Sequence, residues 1–324
     1  MRVLVTGAAG FVGAAICEAL GARGVSVLGL DQRAPSSTET FGPLFDHVTA
    51  DLRDRSSLDR SLHGKGLTHV VNAAAITPDA ALEETDPELV LDVNLLGAVR
   101  ILQAASANGI RSMMQLSSIS VYGTAEPEPD GRYHEDHTRP APVSLYAIGK
   151  FSAEMSLRRL AGPAGVNLCV LRVGPIFGPF EHASRSRAVT SPHHQSLMAA
   201  RAGERVVLPR PIPADWCYSR DAAAHIAALA TYAGPLPEIV HIGAGTITTL
   251  PDWCAVLALH FPDFQWRIDA AVPSVRYGYD SDRPALATDR LRSLVPNRHT
   301  DLHAAAGDWI DWLNCDQRTK ELSS

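Results

Sequence analysis

The apolar residues of this chain fall into runs of two lengths that alternate, with glycine, proline and acidic residues between them. Arg2-Val-Leu-Val-Thr6 is a short continuous run, and Phe11 to Leu20 is one of helical length. The first reads as a strand covered on both faces, which needs no polar alternation, and the second as a helix. Val25 to Leu30, His47 to Ala50, Thr68 to Asn72, Ser112 to Leu116 and Val166 to Arg172 read as further strands. Between them Asp54 caps a helix, and Asp86-Pro87 opens a long one that runs to about Asn108, with Gly109 as its stop signal. Phe151 to Leu160 continues a helix that begins near Ser144. Strands and helices taking turns in this way predict an α/β fold with a doubly wound parallel sheet.

Beyond Phe180 the alternation loosens. Glu181 to Gln195 is polar and reads either as a mobile substrate loop or as a solvated connection. Helices follow at Ser196 to Gly203, Asp221 to Tyr232, Leu250 to His260 and Asp301 to Leu313, with strands at Arg205 to Leu208 and Glu238 to Ile242. The pattern divides the chain into residues 1–175, carrying the regular alternation, and 176–324, a smaller α/β unit. Segment 238–243 is expected to return to the main sheet.

Composition excludes several classes of function. A net charge of −6 with a pI near 6.1 disfavours nucleic acid as a partner. No apolar run reads as membrane-spanning, and the chain enters a strand at residue 2 rather than a signal peptide, so a cytoplasmic protein is expected. Cys17, Cys169, Cys217, Cys254 and Cys315 show no Cys-x-x-Cys spacing and read as free thiols, mostly buried.

Chemistry concentrates where the predicted strands end. Gly7-Ala-Ala-Gly10-Phe11-Val12-Gly13 joins the first strand to the first helix, and small residues there let backbone N–H groups approach a phosphate. Asp31 closes the second strand, where a carboxylate accepts bonds from an adenosine ribose and repels a 2′-phosphate, so NAD is preferred over NADP. Ala73 and Ala74 end the fourth strand, and Ser117 and Ser118 the fifth, at the edge where ligands of parallel sheets bind. Tyr146 and Lys150 lie four apart, and Lys150 is one of only three lysines beside 26 arginines. On a helix that spacing puts ammonium beside phenol and lowers the phenol pKa towards a value useful for proton transfer. His134-Glu-Asp-His137 has zinc-like spacing, but Pro127, Pro129, Gly131 and Pro140 deny it a scaffold, and no metal is expected.

Thr6-Gly-Ala-Ala-Gly-Phe-Val-Gly13, Asp31, Asp51-Leu52, Asn94, Ser118-Ile-Ser-Val-Tyr-Gly123, Tyr146-x-x-x-Lys150 and Pro175-Ile-Phe-Gly-Pro179 together resemble the extended short-chain dehydrogenase/reductases, the NAD-dependent epimerase/dehydratase family. The resemblance covers nearly the whole chain. It implies a Rossmann-type NAD-binding domain followed by a smaller substrate-binding domain. By it Tyr146 is the acid/base residue, Lys150 lowers its pKa and holds the nicotinamide ribose, and Ser118 binds the reacting oxygen. Asp51 and Leu52 flank the adenine, Asn94 and Ser117 support the site, and Pro175 joins the cofactor contacts. A homodimer through the Tyr146 and Asn94 helices is also implied.

Departures from the family pattern narrow the activity. Dehydratases of the family carry Asp-Glu where this chain has Ile119-Ser120, which leaves no acid to expel water. Ala214 stands where nucleotide-sugar epimerases place a diphosphate-binding Arg, with Arg210 or Arg220 as substitutes for it and Arg276 as the match to the family's second diphosphate Arg. The leading expectation is therefore an NAD-dependent oxidoreductase acting on a secondary alcohol or ketone of a small sugar, sugar acid or lactone. A nucleotide-sugar 4-epimerase with tightly held NAD is the alternative, and a non-catalytic NAD-binding protein the third reading. Arg185, His193, Trp216 and Arg276 are the expected substrate contacts beside Ser118.

Overall fold

The computed structural model describes residues 1–35, 38–278 and 281–322. Its main sheet contains β1 (Arg2–Thr6), β2 (Ser26–Asp31), β3 (Phe45–Thr49), β4 (His69–Asn72), β5 (Ser112–Ser118), β6 (Asn167–Val173) and β7 (Ile239–Ile242). All seven are parallel and lie in the order β7-β6-β5-β4-β1-β2-β3. Winding starts at β1 and runs outward both ways, so the order reverses between β1 and β4. Ligands of such sheets bind outside the strand ends at that reversal. Segment 238–243 does return to this sheet, as its edge strand β7.

Helices α1 (Phe11–Gly21), α2 (Arg55–Leu62), α3 (Pro87–Ala107), α4 (Leu145–Ala161) and α5 (Ser219–Ala230) cover the two faces. Side chains of β1 alternate between them: Val3 and Val5 pack with Ala14, Ile16, Ala223 and Ile226 of α1 and α5. Leu4 points the other way, into Leu58, Ile101, Leu102 and Leu157 of α2, α3 and α4. Both faces being apolar explains why the strands read as unbroken runs.

The long helix differs from its expectation in one respect. α3 contains a π turn at Asp92–Leu96, which adds a residue to the turn and brings Asn94 into the interior. Its 21 residues are also long and apolar enough to cross a membrane, contrary to the sequence reading. About half of this helix is buried, with Ile101, Leu102, Ala104 and Ala105 in the core.

Residues 177–309 build a second core from Phe177, Leu197, Trp216, Tyr218, Trp253 and Trp309. His193 lies within it, its ring stacked 4.2 Å from that of Phe177 and tilted against Trp216 and Trp253. Trp216 is equally enclosed and donates its indole N–H to Ile212 O at 3.2 Å. Two expected substrate contacts are thus core residues, because aromatic rings here satisfy burial before recognition. The segment 181–191 is not a loose loop either. Buried Glu181 accepts hydrogen bonds from Arg187 and from the N–H and hydroxyl of Ser191. Ser191 in turn caps the helix Pro192–Arg201, which starts earlier than its sequence suggests.

Burial drives the pKa of His193 down to about 3, and that of His241 on β7 likewise to about 3. Both are neutral in the fold, so the unfolded chain binds their protons first as pH falls. Their stabilising contribution is complete above about pH 6.5 and is lost between there and about pH 3, at up to ~1.4 kcal/mol per pH unit for each. Urea titrations across that window should show the decline. His193→Phe, which keeps the stack, should make it shallower; an unchanged slope would exonerate His193.

Candidate active site

The carboxyl edge of β1, β4 and β5 carries a continuous row of buried polar groups. Thr6 donates its hydroxyl to Asn72, and Asn72 Nδ2 donates to Gln115 Oε1 at 2.7 Å. Gln115 Nε2 reaches Leu116 O at 2.9 Å, and the same carbonyl accepts from Lys150 Nζ at 3.0 Å. The glycine turn and the lysine therefore hang from one set of hydrogen bonds. Such a row sits inside a sheet only when every member is satisfied.

At the turn, Gly7 has φ +70°, and a Cβ there would stand 2.9 Å from the backbone of Ala74. A Cβ on Gly13 would stand 2.0 Å from Gly7 O. Strand end, turn and α1 are in backbone contact, and Ala73 and Ala74 are small for the same reason. Gly10 precedes α1 and leaves the first N–H groups of that helix uncapped by any side chain. Asp31 accepts from Ala9 N at 3.1 Å and from Arg33 N at 3.3 Å, which fixes its carboxylate beside the turn. The glycine turn, the open helix start at Phe11 and Val12, and the Asp31 carboxylate beside them fit a dinucleotide. Farther along the edge, Arg53 holds the Asp51 carboxyl below the usual range through its hydrogen bonds, and Leu52 is buried against Gly97.

Ser144 caps α4 by accepting from Ala147 N at 3.2 Å, and Tyr146 N donates to Glu83 Oε1 at 3.3 Å. Tyr146 is half-buried, whereas Lys150, one turn on, is enclosed, its Nζ 5.9 Å from the centre of the Tyr146 ring. Desolvation lowers the lysine pKa to about 8, opposed by the charge of Glu154. At neutral pH the ammonium persists and acts on the phenol through little water.

Ser118, at the tip of β5, donates to Ser120 Oγ at 3.1 Å and accepts from Ser120 N at 3.1 Å. Ser117, the next residue back, faces the other side and donates to Glu154. Glu154 is held by Arg172, which also donates to Tyr122 Oη at 2.9 Å. Tyr122 Oη lies 2.6 Å from His241 Nε2, and His241 Nδ1 lies 3.1 Å from Ala287 O. A carbonyl can only accept, so the neutral imidazole carries its proton on Nδ1 and donates it to Ala287 O, and Nε2 accepts from the Tyr122 hydroxyl.

Several expected site residues serve the scaffold in this arrangement. Both ends of the Asn94 amide bond the backbone of Ile76, at 2.9 and 2.8 Å, which ties α3 to the chain leaving β4. Pro175 offers its carbonyl to Cys217 N at 2.9 Å. Arg185 and Arg276 are exposed, and Gln195 pins the backbone of Arg276 from both sides. Of the proposed stand-ins for the diphosphate Arg, Arg220 is bound to Glu18 and Asp308, and Arg210 to Asp282. Sequence reading missed Arg283, which donates from Nη1 to Ser120 Oγ at 3.1 Å and so reaches the neighbourhood of Ser118. No local pattern marks it, since 163 residues separate the partners. Arg187, from the polar 181–195 segment, places its guanidinium 5.4 Å from the centre of the Phe11 ring at the glycine turn.

Residues 3–243 match the NAD dependent epimerase/dehydratase family, and the chain belongs to it. A dTDP-glucose 4,6-dehydratase of Mycolicibacterium smegmatis is 28% identical over 98% of this chain and 94% of its own length. A UDP-glucose 4-epimerase of the same organism is 30% identical over 62% of this chain and 64% of its own. The Thermus thermophilus UDP-glucose 4-epimerase, solved as a complex with NAD, shares the fold with a TM-score of 0.78 and 25% identity, covering 96% of this chain and 99% of that one.

Gly13→Ala should abolish calorimetrically detectable NAD binding and destabilise the fold by roughly 1–3 kcal/mol, the usual range for an overpacked core. Full-strength binding by this variant would show that the cradle opens without consequence.

Proposed function

We propose that the protein is an NAD-dependent epimerase that inverts a hydroxyl-bearing carbon of a sugar nucleotide. The observation that carries this reading is the end of β5. Ser118 stands beside the Tyr146 helix, while the two residues after it are buried Ile119 and the hydroxyl of Ser120, which accepts from Arg283. Dehydration needs an acid there to protonate the departing hydroxyl, and neither residue provides one. The chemistry left to the site is removal and return of a proton and a hydride. Relatives named as UDP-glucose, UDP-glucuronate and dTDP-L-rhamnose 4-epimerases support it.

Tyr146, as phenolate, takes the proton of the reacting hydroxyl, and Lys150 keeps that phenolate stable by its charge. Ser118 turns its hydroxyl from Ser120 to the reacting oxygen and holds it as the ketone forms. NAD, when bound, accepts and returns the hydride. Tyr146 gives its proton back after the sugar presents its opposite face, so the centre is inverted with no net redox change.

A second reading, a dehydrogenase of a smaller sugar or sugar acid, is favoured by one observation. Ala214 is buried where a diphosphate-binding Arg would stand, and Arg220 is committed elsewhere. Nicotinamide absorbance separates the two: the epimerase isomerises substrate with the cofactor signal unchanged over turnover, whereas the dehydrogenase accumulates NADH.

Tyr146→Phe should reduce kcat by about 10²–10⁴-fold while bound NAD is retained, since the phenol moves a proton and does not hold the cofactor's diphosphate. Wild-type activity would remove Tyr146 from the mechanism. The Lys150 cation is present below its pKa of about 8 and lost above it, so kcat/KM should fall as pH rises through about 8. A profile flat to pH 10, roughly the pKa of free tyrosine, would mean that the ammonium is not required.

A further inference from the structure

We propose that Arg187 is a cofactor-binding residue, which reaches over from the C-terminal half of the chain and holds the diphosphate of the dinucleotide against the start of α1. The inference concerns the cofactor and applies to an epimerase and a dehydrogenase alike. It begins with a shortage of charge. Residues 6–17, from the end of β1 through the glycine turn into α1, contain no charged side chain. Backbone N–H groups and the helix dipole supply only partial charge there, whereas a diphosphate is fully ionised at neutral pH. A cation brought from elsewhere in the fold adds charge-assisted hydrogen bonds. Arg187 is placed to be that cation, because its guanidinium lies 5.4 Å from the centre of the ring of Phe11, the first residue of α1.

The backbone around Arg187 is fixed in that place. Ser184 N donates to Arg187 O at 2.9 Å and Arg187 N to Ser184 O at 3.1 Å, which closes a tight turn. Thr77 N donates to Ser186 O at 2.8 Å, and Thr77 and Arg187 form a parallel β-bridge. Thr77 belongs to the chain leaving β4, and α1 follows β1. The turn is therefore tied to one side of the sheet's order reversal while its guanidinium stands at the other, across the place where ligands of such sheets lie. Glu181 orients the side chain by accepting from Arg187 Nη2 at 2.8 Å, and is held in turn by the N–H and hydroxyl of Ser191. That contact uses one edge of the guanidinium fork. Nε is buried without a hydrogen-bond partner, and the side chain stays 27% exposed, so ligand oxygens can reach its remaining donors. Paired phosphate oxygens match the planar fork. A sugar nucleotide would present the same chemical group, and the contact with Phe11 favours the cofactor's, since Phe11 directly follows the glycine turn that fits the dinucleotide.

Binding to nucleotide-free protein tests the idea, with NAD, ADP-ribose and UDP titrated by calorimetry and adenosine, a weaker ligand without phosphates, by NMR. Arg187→Gln should weaken NAD and ADP-ribose, which carry the cofactor's diphosphate, by roughly ten- to hundredfold, the worth of one charged hydrogen bond. Adenosine and UDP should bind the variant as they bind the wild type. Arg187→Lys keeps the charge without the fork and should fall between. An equal loss for adenosine, as a merely displaced segment would give, overturns the proposal. So does undiminished NAD binding, or a loss confined to UDP, which would assign Arg187 to the substrate's diphosphate instead. Glu181 without its cation is costly to bury, so the single variant can fail to fold. Glu181→Gln/Arg187→Gln then removes both charges and should show the same loss for NAD and ADP-ribose alone. Turnover plays no part in these titrations, so their failure leaves the choice between epimerase and dehydrogenase untouched.

Discussion

An ammonium sealed from water must be solvated by the protein, and the way Lys150 is solvated organises this site. Its donor is satisfied by the carbonyl of Leu116, which belongs to the end of β5 and is shared with the side chain of Gln115. Gln115 is linked through Asn72 to Thr6, the residue that leads into the glycine turn. An unsolvated ammonium in such a place would lose its proton and with it the ability to stabilise a phenolate. The row of hydrogen bonds thus ties the charge beside Tyr146 to the strand that leads into the glycine turn.

The second constraint is compensation on the far side of Lys150. Glu154, one turn later on α4, is fully enclosed and would be very costly alone. Arg172 on β6 grips both its oxygens, and Ser117 donates to it from β5. The guanidinium continues to Tyr122 and His241, so helix α4 is bolted to β5, β6 and β7 by polar contacts as well as by Leu157 and Ala153. A network of this kind fixes the direction of α4 more sharply than apolar packing, which tolerates sliding. Tyr146 inherits its position from that rigidity.

The C-terminal half contributes by reaching back. Arg283 arrives beside Ser120 because its segment returns to the β5 end, with Ala285–Leu286 pairing to Arg132–Tyr133. Asp215 secures the same region by accepting from Ala244 N, Gly245 N and Leu286 N. Burial nevertheless raises its pKa to about 6, so these three N–H donors only partly offset desolvation. The surroundings of the β5 end are therefore assembled from segments more than a hundred residues apart in the chain.

The alternating strands and helices, the glycine turn after β1, the places of Asp31 and Ser118 at strand ends and the one-turn spacing of Tyr146 and Lys150 on a helix were all legible in the sequence. Those features are local: apolar run length, glycines demanded by backbone contact, and a four-residue helical spacing each act within a few positions. Tertiary structure decided the rest. His193 and Trp216 look like polar or aromatic recognition residues in the chain, yet the fold encloses them among Phe177, Trp253 and Trp309, where burial outweighs any use of their polar atoms. Asn94 is turned inward by a π turn that no composition announces, and its amide serves Ile76. Arg283 carries no motif at all. Only the folding of distant segments onto one strand end gives it a neighbour, because contact across 163 residues is set by packing and topology rather than by sequence spacing.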